Sequence, residues 1–251
     1  MTNLSGRTII ITGAGGLIGR AFANAIGSAG ANTILADLEP QPALVDTITR
    51  NGGKAVSLIV DISTPSSVER MANEVVGSFG RIDGLVNNAG FYRGCTMGSF
   101  ADIPVDEWDR CYSVNVRGTW LCCKAVFPYM RQQNYGKIVN ISSNTPFKGV
   151  GGMLQYVSSK AAIIGLSRAL AREVGDYGIC VNNLCPDLIP DPSDLQNEDG
   201  IVGNKRVVAQ RCFKRTETAE DVTGALVFLL GPGSDFVTGQ SLLVNGGAFF
   251  H

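Results

Sequence analysis

Tyr156 and Lys160 stand four residues apart, the spacing that places two side chains on one helix face, one turn apart. A tyrosine hydroxyl has a reference pKa of about 10, too high for an efficient base near neutrality. A neighbouring cation favours the phenolate and lowers that value. The pair therefore suits proton transfer, as a base in one direction and an acid in the other. Ser143 lies thirteen residues before Tyr156, and its hydroxyl can donate to a substrate oxygen where negative charge develops. Taken singly, each signal also has a plain reading. Tyr-x-x-x-Lys pairs are common on helix surfaces, and Ser142-Ser143 after a strand suits a cap or turn.

What the chain lacks narrows the chemistry. Its one histidine is His251, the last residue, so neither a Ser-His-Asp triad nor a multi-histidine metal site can be built within one chain. No metal is expected. The cysteines at 95, 111, 122, 123, 180, 185 and 212 include no Cys-x-x-Cys pair and fit neither a zinc site nor a disulfide framework. They read as reduced small hydrophobes, with one reactive thiol near the pocket as the alternative. Lys+Arg 21 against Asp+Glu 22 supplies no basic field for nucleic acid. No apolar run reaches the roughly 18 residues of a membrane span. The first residues lack the basic and apolar regions of a signal peptide, so a cytoplasmic protein is expected.

The chemical residues must be held by something, and the chain alternates short β-branched runs with helical patterns. Strands are expected at 8–12, 32–36, 55–60, 84–87, 136–141, 180–184 and 241–244. Helices are expected at 18–28, 42–51, 65–79, 104–132, 156–174 and 219–230. Runs such as Ile9-Ile10-Ile11 are apolar throughout, which fits parallel strands covered on both faces. The fold class predicted is α/β: a Rossmann-type, doubly wound, parallel seven-stranded sheet with helices on both faces. A hydrophobic content of 45% over 251 residues suits a single domain of that kind. The polar stretch 187–215 reads as an irregular lid or binding loop.

Thr12-Gly13-Ala14-Gly15-Gly16-Leu17-Ile18-Gly19 lies between the first strand and the first helix. There glycines let the backbone approach a pyrophosphate, and the helix N-terminus offers free N–H groups. A glycine-rich turn alone is weak; its position after the first strand strengthens it. Asp37 follows 24 positions after Gly13, at the end of the second strand, where an acid accepts hydrogen bonds from a ribose 2′-hydroxyl. It would repel a 2′-phosphate, and Leu38 beside it brings no compensating cation. NAD is predicted over NADP.

Together these residues resemble the short-chain dehydrogenase/reductase family, over essentially the whole chain. The resemblance runs through the glycine turn, Asp61-Ile62, Asn87-Asn88-Ala89-Gly90, Asn115, Ser142-Ser143, Tyr156-Val157-Ser158-Ser159-Lys160, Thr238-Gly239-Gln240 and Asn245-Gly246-Gly247. No one motif is decisive, but their joint order is specific. The resemblance implies a hydride transfer between a nicotinamide cofactor and an alcohol or carbonyl substrate. Tyr156 would be the acid/base, Ser143 would hold the substrate oxygen, and Asn115 would anchor a water beside Lys160. The cofactor would lie on Gly13, Gly16, Leu17, Ile18, Gly19, Asp37, Leu38, Asp61, Ile62, Asn88, Ala89 and Gly90. Tyr156 and Lys160 would hold the nicotinamide ribose, and Pro186 and Ile189 would meet the nicotinamide. Among family members the chain looks closest to NAD-dependent secondary-alcohol dehydrogenases of the phenylethanol dehydrogenase type, which share a short His-ended tail.

Two places depart from the family pattern. Leu17 replaces the middle glycine of the turn, while Gly15 and Gly16 precede it. After the sixth strand, Asp187 replaces the glycine of a Pro-Gly pair, and Asp191 falls where a threonine often meets the pyrophosphate. Asp191 is expected to turn outward. Asp187 either faces the substrate or serves only as a turn residue. Pocket candidates by resemblance are Phe91, Tyr92, Cys95, Thr145, Phe147, Met153, Leu154 and the loop from Asp187 to Phe213. Their apolar character suggests a small secondary alcohol and its ketone. The charged residues of the lid are solvated or else suit a polyol or charged substrate. A 3-oxoacyl-carrier-protein reductase, a polyol or sugar dehydrogenase and a catalytically silent nucleotide sensor are the rival readings. The long helices carry surplus apolar surface, and family members pair such helices between subunits, so a homotetramer is expected.

Overall fold

The computed structural model describes residues 3–250; His251, and with it the end of the tail, lies outside the described residues. In chain order the elements are β1 (Thr8–Thr12), α1 (Leu17–Ser28), β2 (Asn32–Asp37), α2 (Pro42–Arg50), β3 (Lys54–Ile59), α3 (Pro65–Phe79) and β4 (Gly84–Asn87). There follow α4 (Val105–Tyr112), a π-helical turn (Ser113–Gly118), α5 (Thr119–Gln133), β5 (Gly136–Ile141), a short α6 (Thr145–Lys148) and α7 (Leu154–Val174). The chain then forms β6 (Ile179–Pro186), α8 (Glu198–Gln210), α9 (Thr223–Leu230) and β7 (Ser241–Val244).

The strands form one seven-stranded sheet in the order β3-β2-β1-β4-β5-β6-β7, and every pairing is parallel. This is the Rossmann-type α/β fold. Every residue of β1, β4, β5 and β6 is buried, as near-continuous apolar runs require when helices cover both faces. One core forms around α3, α5 and the adjoining face of α7, with Val75, Val126, Met130 and Val181. The other forms around α1, α2 and α9, with Phe22, Ile26, Leu226 and Leu229.

Winding reverses between β3 and β4, so β1 and β4 become neighbours although β2 and β3 intervene in sequence. Their carboxyl ends therefore open a crevice, the usual place for a ligand in such sheets. The glycine turn leaves β1 into that crevice, and Asn88-Ala89-Gly90 leave β4 beside it.

Several elements differ from expectation, among them the short α6, where no helix was expected. The single helix expected over 104–132 is broken by the π-helical turn at Ser113–Gly118. The stretch expected to be irregular contains α8, thirteen residues long and capped where Asn197 Oδ1 accepts from Gly200 N at 2.8 Å. No residue of α8 is fully buried, so an apolar stripe, the usual helical signal, is weak there. The last expected helix begins as a 3₁₀ turn at Ala219–Val222. No helix among the described residues is long and apolar enough to cross a membrane.

Candidate active site

The glycine turn is built around two close approaches. Gly13 has φ +65°, and a Cβ there would meet Ala89 Cα at 2.7 Å. A Cβ on Gly19 would collide with the Gly13 carbonyl oxygen. Only glycine allows both the left-handed turn and the packing of α1 against it. Asn88 locks the turn from β4: its Nδ2 donates to Thr12 O at 3.0 Å and Gly13 O at 2.9 Å. Thr12 Oγ1 accepts from the backbone N–H of Asn88 and of Ala89, each at 3.1 Å. Gly16 is the N-cap of α1, no side chain caps the helix, and its first turn holds no acid. Leu17 and Ile18 open that helix, so the end stays free for an anionic group.

Asp37 ends β2 and turns back on this loop, where its Oδ2 accepts from Gly15 N at 2.8 Å. Leu38 beside it is exposed. Asp61 lies half-buried past β3, its carboxylate held below the usual range first by the Ser63 hydroxyl, which donates to Oδ1 at 2.7 Å. Ile62 is buried beneath it and packs on the bare face of Gly118. The turn, the acid of β2 and the edges of Asp61 and Ala89 make a cradle that fits a dinucleotide.

The chemical residues gather at the carboxyl ends of β4 and β5. Tyr156 and Lys160 sit one turn apart on α7, with Lys160 Nζ 5.7 Å from the Tyr156 ring centroid. Lys160 is buried and donates to Ile141 O at 2.8 Å. Gly90 gives it room, since a Cβ there would meet Lys160 Nζ at 3.4 Å and Asn115 Oδ1 at 3.5 Å. Asn115 is fully buried in the π-helical turn. Its Oδ1 accepts from Phe91 N at 2.6 Å and its Nδ2 donates to Ser159 Oγ at 2.9 Å. Ser143 is buried at the end of β5 and hydrogen-bonds the Tyr156 hydroxyl. Thr145 N and Oγ1 both donate to Ser143 Oγ at 3.1 Å.

Burial moves the titrating groups away from the simple expectation. It pushes the Tyr156 phenol up, with the Ser143 hydrogen bond pulling back. Burial also lowers Lys160 to about 8. Desolvation thus outweighs attraction, and the lysine does not by itself bring the tyrosine down toward neutrality. The Cys95 thiol is pushed up to about 12, chiefly by burial, which keeps it protonated and unreactive at neutral pH. All seven cysteines are free thiols.

The substrate side is mixed. Tyr92 meets Tyr156 edge-on at 5.0 Å between centroids, and Phe147 faces Phe249 at 6.2 Å. Met153 is buried as the N-cap of α7. Pro186 ends β6 and accepts from Asn144 N at 2.8 Å, while Ile189 packs on the α1-side core. Phe213 is exposed, and its N–H donates to Gly246 O at 3.0 Å. It lines a small pocket of about 160 Å³ with Arg211 and Glu217 instead of joining Tyr156. Asp191 pairs with Arg93 at 2.7 Å, and its carboxylate is lowered first by the Ser193 hydroxyl.

Asp187 is drawn into protein contacts. Its Oδ1 accepts from Lys148 Nζ at 3.2 Å and its Oδ2 from Arg211 Nε at 3.1 Å. Glu217 completes the group, with Oε2 3.4 Å from Arg211 Nη2. Burial pushes Glu217 up to about 7 against the pull of Arg211. Asn144, Lys148 and Glu217 carry no signal in the sequence, and Ser159 and Arg211 stand out there only as members of a motif and of the charged lid. Their partners are distant in sequence: Lys148 lies 39 residues and Asn144 43 residues from Asp187.

The model of a family described as enoyl-(acyl carrier protein) reductase matches residues 13–248. The chain is similar to the (2S)-[(R)-hydroxy(phenyl)methyl]succinyl-CoA dehydrogenase subunit BbsD of Thauera aromatica, at 34% identity over 97% of both chains. It is 32% identical to the 3-oxoacyl-[acyl-carrier-protein] reductase of Escherichia coli (strain K12), over 98% of this chain and 99% of that one. Among solved structures, NAD+-bound xylitol dehydrogenase superposes with a TM-score of 0.89 at 30% identity, covering 97% of this chain and 99% of the other.

Proposed function

The chain belongs to the short-chain dehydrogenase/reductase family and is an oxidoreductase acting on CH–OH donors, and from this we propose that it interconverts a small secondary alcohol and its ketone with NAD. The observation that carries the reading is the cluster of Ser143, Tyr156, Lys160 and Asn115, set beside the Gly13–Ala89 approach at the sheet's switch point.

When bound, the nicotinamide supplies the hydride acceptor or donor and, oxidised, a positive charge. The chain's own residues do the rest. Ser143 donates to the substrate oxygen and holds it against the Tyr156 hydroxyl, where charge develops. Tyr156 takes the alcohol proton in oxidation and returns it in reduction. Lys160 holds the ribose hydroxyls and supplies positive charge beneath the phenol. Asn115 fixes the start of the loop after β4 through both its amide atoms.

Asp37 supports NAD. Its carboxylate already accepts from the glycine turn and would face the adenosine ribose, where a 2′-phosphate would be repelled. The NAD+-bound xylitol dehydrogenase likeness points the same way. The Tyr92 ring set edge-on against Tyr156 supports an apolar-sided ketone over a polyol. We further propose a homotetramer, built in part on the exposed face of α4, α5 and α7.

The test is NADH production over a panel of secondary alcohols, polyols and 3-hydroxyacyl thioesters, with NAD and NADP compared by kcat/KM. Turnover of secondary alcohols with a clear NAD preference is expected. An NADP preference sinks the cofactor assignment, and turnover confined to thioesters or polyols sinks the substrate assignment. Nucleotide binding without turnover on any of them would favour a sensor.

A further inference from the structure

We propose that Asp187, which replaces the glycine of the family pattern, is a positioning residue that sets Ser143 and ties the α8 lid to it. The inference rests on the oxidoreductase reading of the same site.

The geometry centres on one carboxylate. Asp187 Oδ1 accepts from Asn144 Nδ2 at 3.3 Å and from Lys148 Nζ at 3.2 Å. Asn144 is the N-cap of α6, and Lys148 is its last residue. A single oxygen therefore grips both ends of a four-residue helix. So short a helix cannot stand alone, because nucleation fixes several dihedrals for one hydrogen bond. The residue between the grips that matters is Thr145, whose N–H and hydroxyl donate to Ser143 Oγ. Displacing α6 moves the donors that orient the Ser143 hydroxyl.

The second oxygen reaches the lid. Asp187 Oδ2 accepts from Arg211 Nε, just past the end of α8. Arg211 is only 1% exposed, and its remaining donors go to Leu188 O at 2.8 Å and Arg215 O at 3.1 Å. The β6 exit, the α8 terminus and α6 thus share one ion cluster. A glycine at 187 offers none of these contacts and would leave Arg211 with Glu217 as its one remaining acid. The carboxylate is used up by protein donors, so it is not a ligand for the substrate.

The experiment compares Asp187→Asn, Lys148→Met and Lys148→Arg with the unsubstituted protein, in steady-state turnover, NADH binding and amide hydrogen exchange. Asp187→Asn is expected to lower kcat by about 10- to 100-fold, the scale of a misplaced reacting group, with NADH affinity within about twofold. Lys148→Met, on a side chain 13% exposed, tests the same grip from the α6 side and leaves the Asp187–Arg211 pair in place. It is expected to lower kcat severalfold, and Lys148→Arg to restore it. Exchange is expected to quicken together in segments 143–150 and 198–215 of both Asp187→Asn and Lys148→Met. Unchanged kcat in Asp187→Asn, or kcat and NADH affinity falling in step, overturns the proposal. Unchanged exchange overturns it too, whatever the turnover. If the unsubstituted protein turns over no CH–OH donor, the oxidoreductase chemistry fails instead, and the exchange result alone still decides whether Asp187 holds α6 and the lid together.

Discussion

At the scale of single residues, the protonation state of Tyr156 decides which direction of reaction starts ready. Burial raises its pKa and lowers that of Lys160 to about 8, so at neutral pH the phenol keeps its proton while the lysine stays mostly charged. A raised phenol pKa means the proton is held throughout the neutral range. Reduction needs that acid and is served from the resting state; oxidation needs the phenolate and gains as pH rises. We expect kcat/KM for alcohol oxidation to climb through the alkaline range while that for ketone reduction does not, measured in both directions from pH 6 to 10. A flat oxidation profile would contradict the assignment of Tyr156. Tyr156→Phe is expected to lower kcat by about 10² to 10⁴ while still quenching or shifting NADH fluorescence on binding. The four-residue spacing of Tyr156 and Lys160 was legible because helical periodicity alone puts them on one face. The direction of the tyrosine shift was not, since burial is a sum over distant neighbours that no local pattern carries. Asp187 was legible only as a departure; its partner Arg211 was legible only as one of the basic residues of the lid, and Lys148 had no signal at all.

At the scale of elements, the turn between β1 and α1 is the most constrained backbone in the site. Gly19 lies in the first turn of α1, and its missing Cβ lets the helix sit on the Gly13 carbonyl. Gly19→Ala must push α1 away from the turn, which is an overpacking strain of about 1–3 kcal/mol. We expect a melting temperature lower by several degrees and weaker NADH binding, read by thermal denaturation and titration; a variant as stable as the parent would refute the packing role. The lid carries a second test. Glu217 is raised from 4.5 to about 7 by burial, so the folded state holds its proton more tightly than the unfolded one. Its contribution to stability is greatest below pH 4.5 and is lost as pH rises through about 7. Glu217→Gln is expected to remove that part of the decline in denaturant midpoint between pH 4.5 and 7; a decline of unchanged slope would show the carboxyl is not responsible. Strand positions were readable because β-branched runs bounded by glycine and polar residues are local. The π-helical turn at Asn115 and the helix α8 were not, because one depends on a single extra residue in a helix and the other lacks a buried stripe.

At the scale of the whole molecule, the sheet is covered on both faces by its own helices, yet one helical face is left over. On α4, the π-helical turn, α5 and α7, Tyr112, Val116, Trp120 and Leu166 line a shallow groove rimmed by Asp109, Arg110 and Arg117. Trp120 is 48% exposed, a large apolar surface for a position near the middle of a helical layer. Acidic and basic rim residues lie on the same patch, so two copies related by a two-fold axis can pair each acid with the other's base while the apolar strip closes against itself. The same face backs the active site: Asn115 and Ser159 point inward from the segments whose outer residues form the groove. Assembly through this face would stiffen the helices that carry Asn115, Tyr156 and Lys160. Trp120→Glu places an unpaired charge at the centre of the strip, whose burial costs several kcal/mol, while Trp120 belongs to neither core cluster of the monomer. Sedimentation velocity at micromolar concentration is expected to find a tetramer for the parent and smaller species for Trp120→Glu, with circular dichroism unchanged. A parent that sediments as a monomer would remove the assembly, and a variant that stays tetrameric would place the interface on another face.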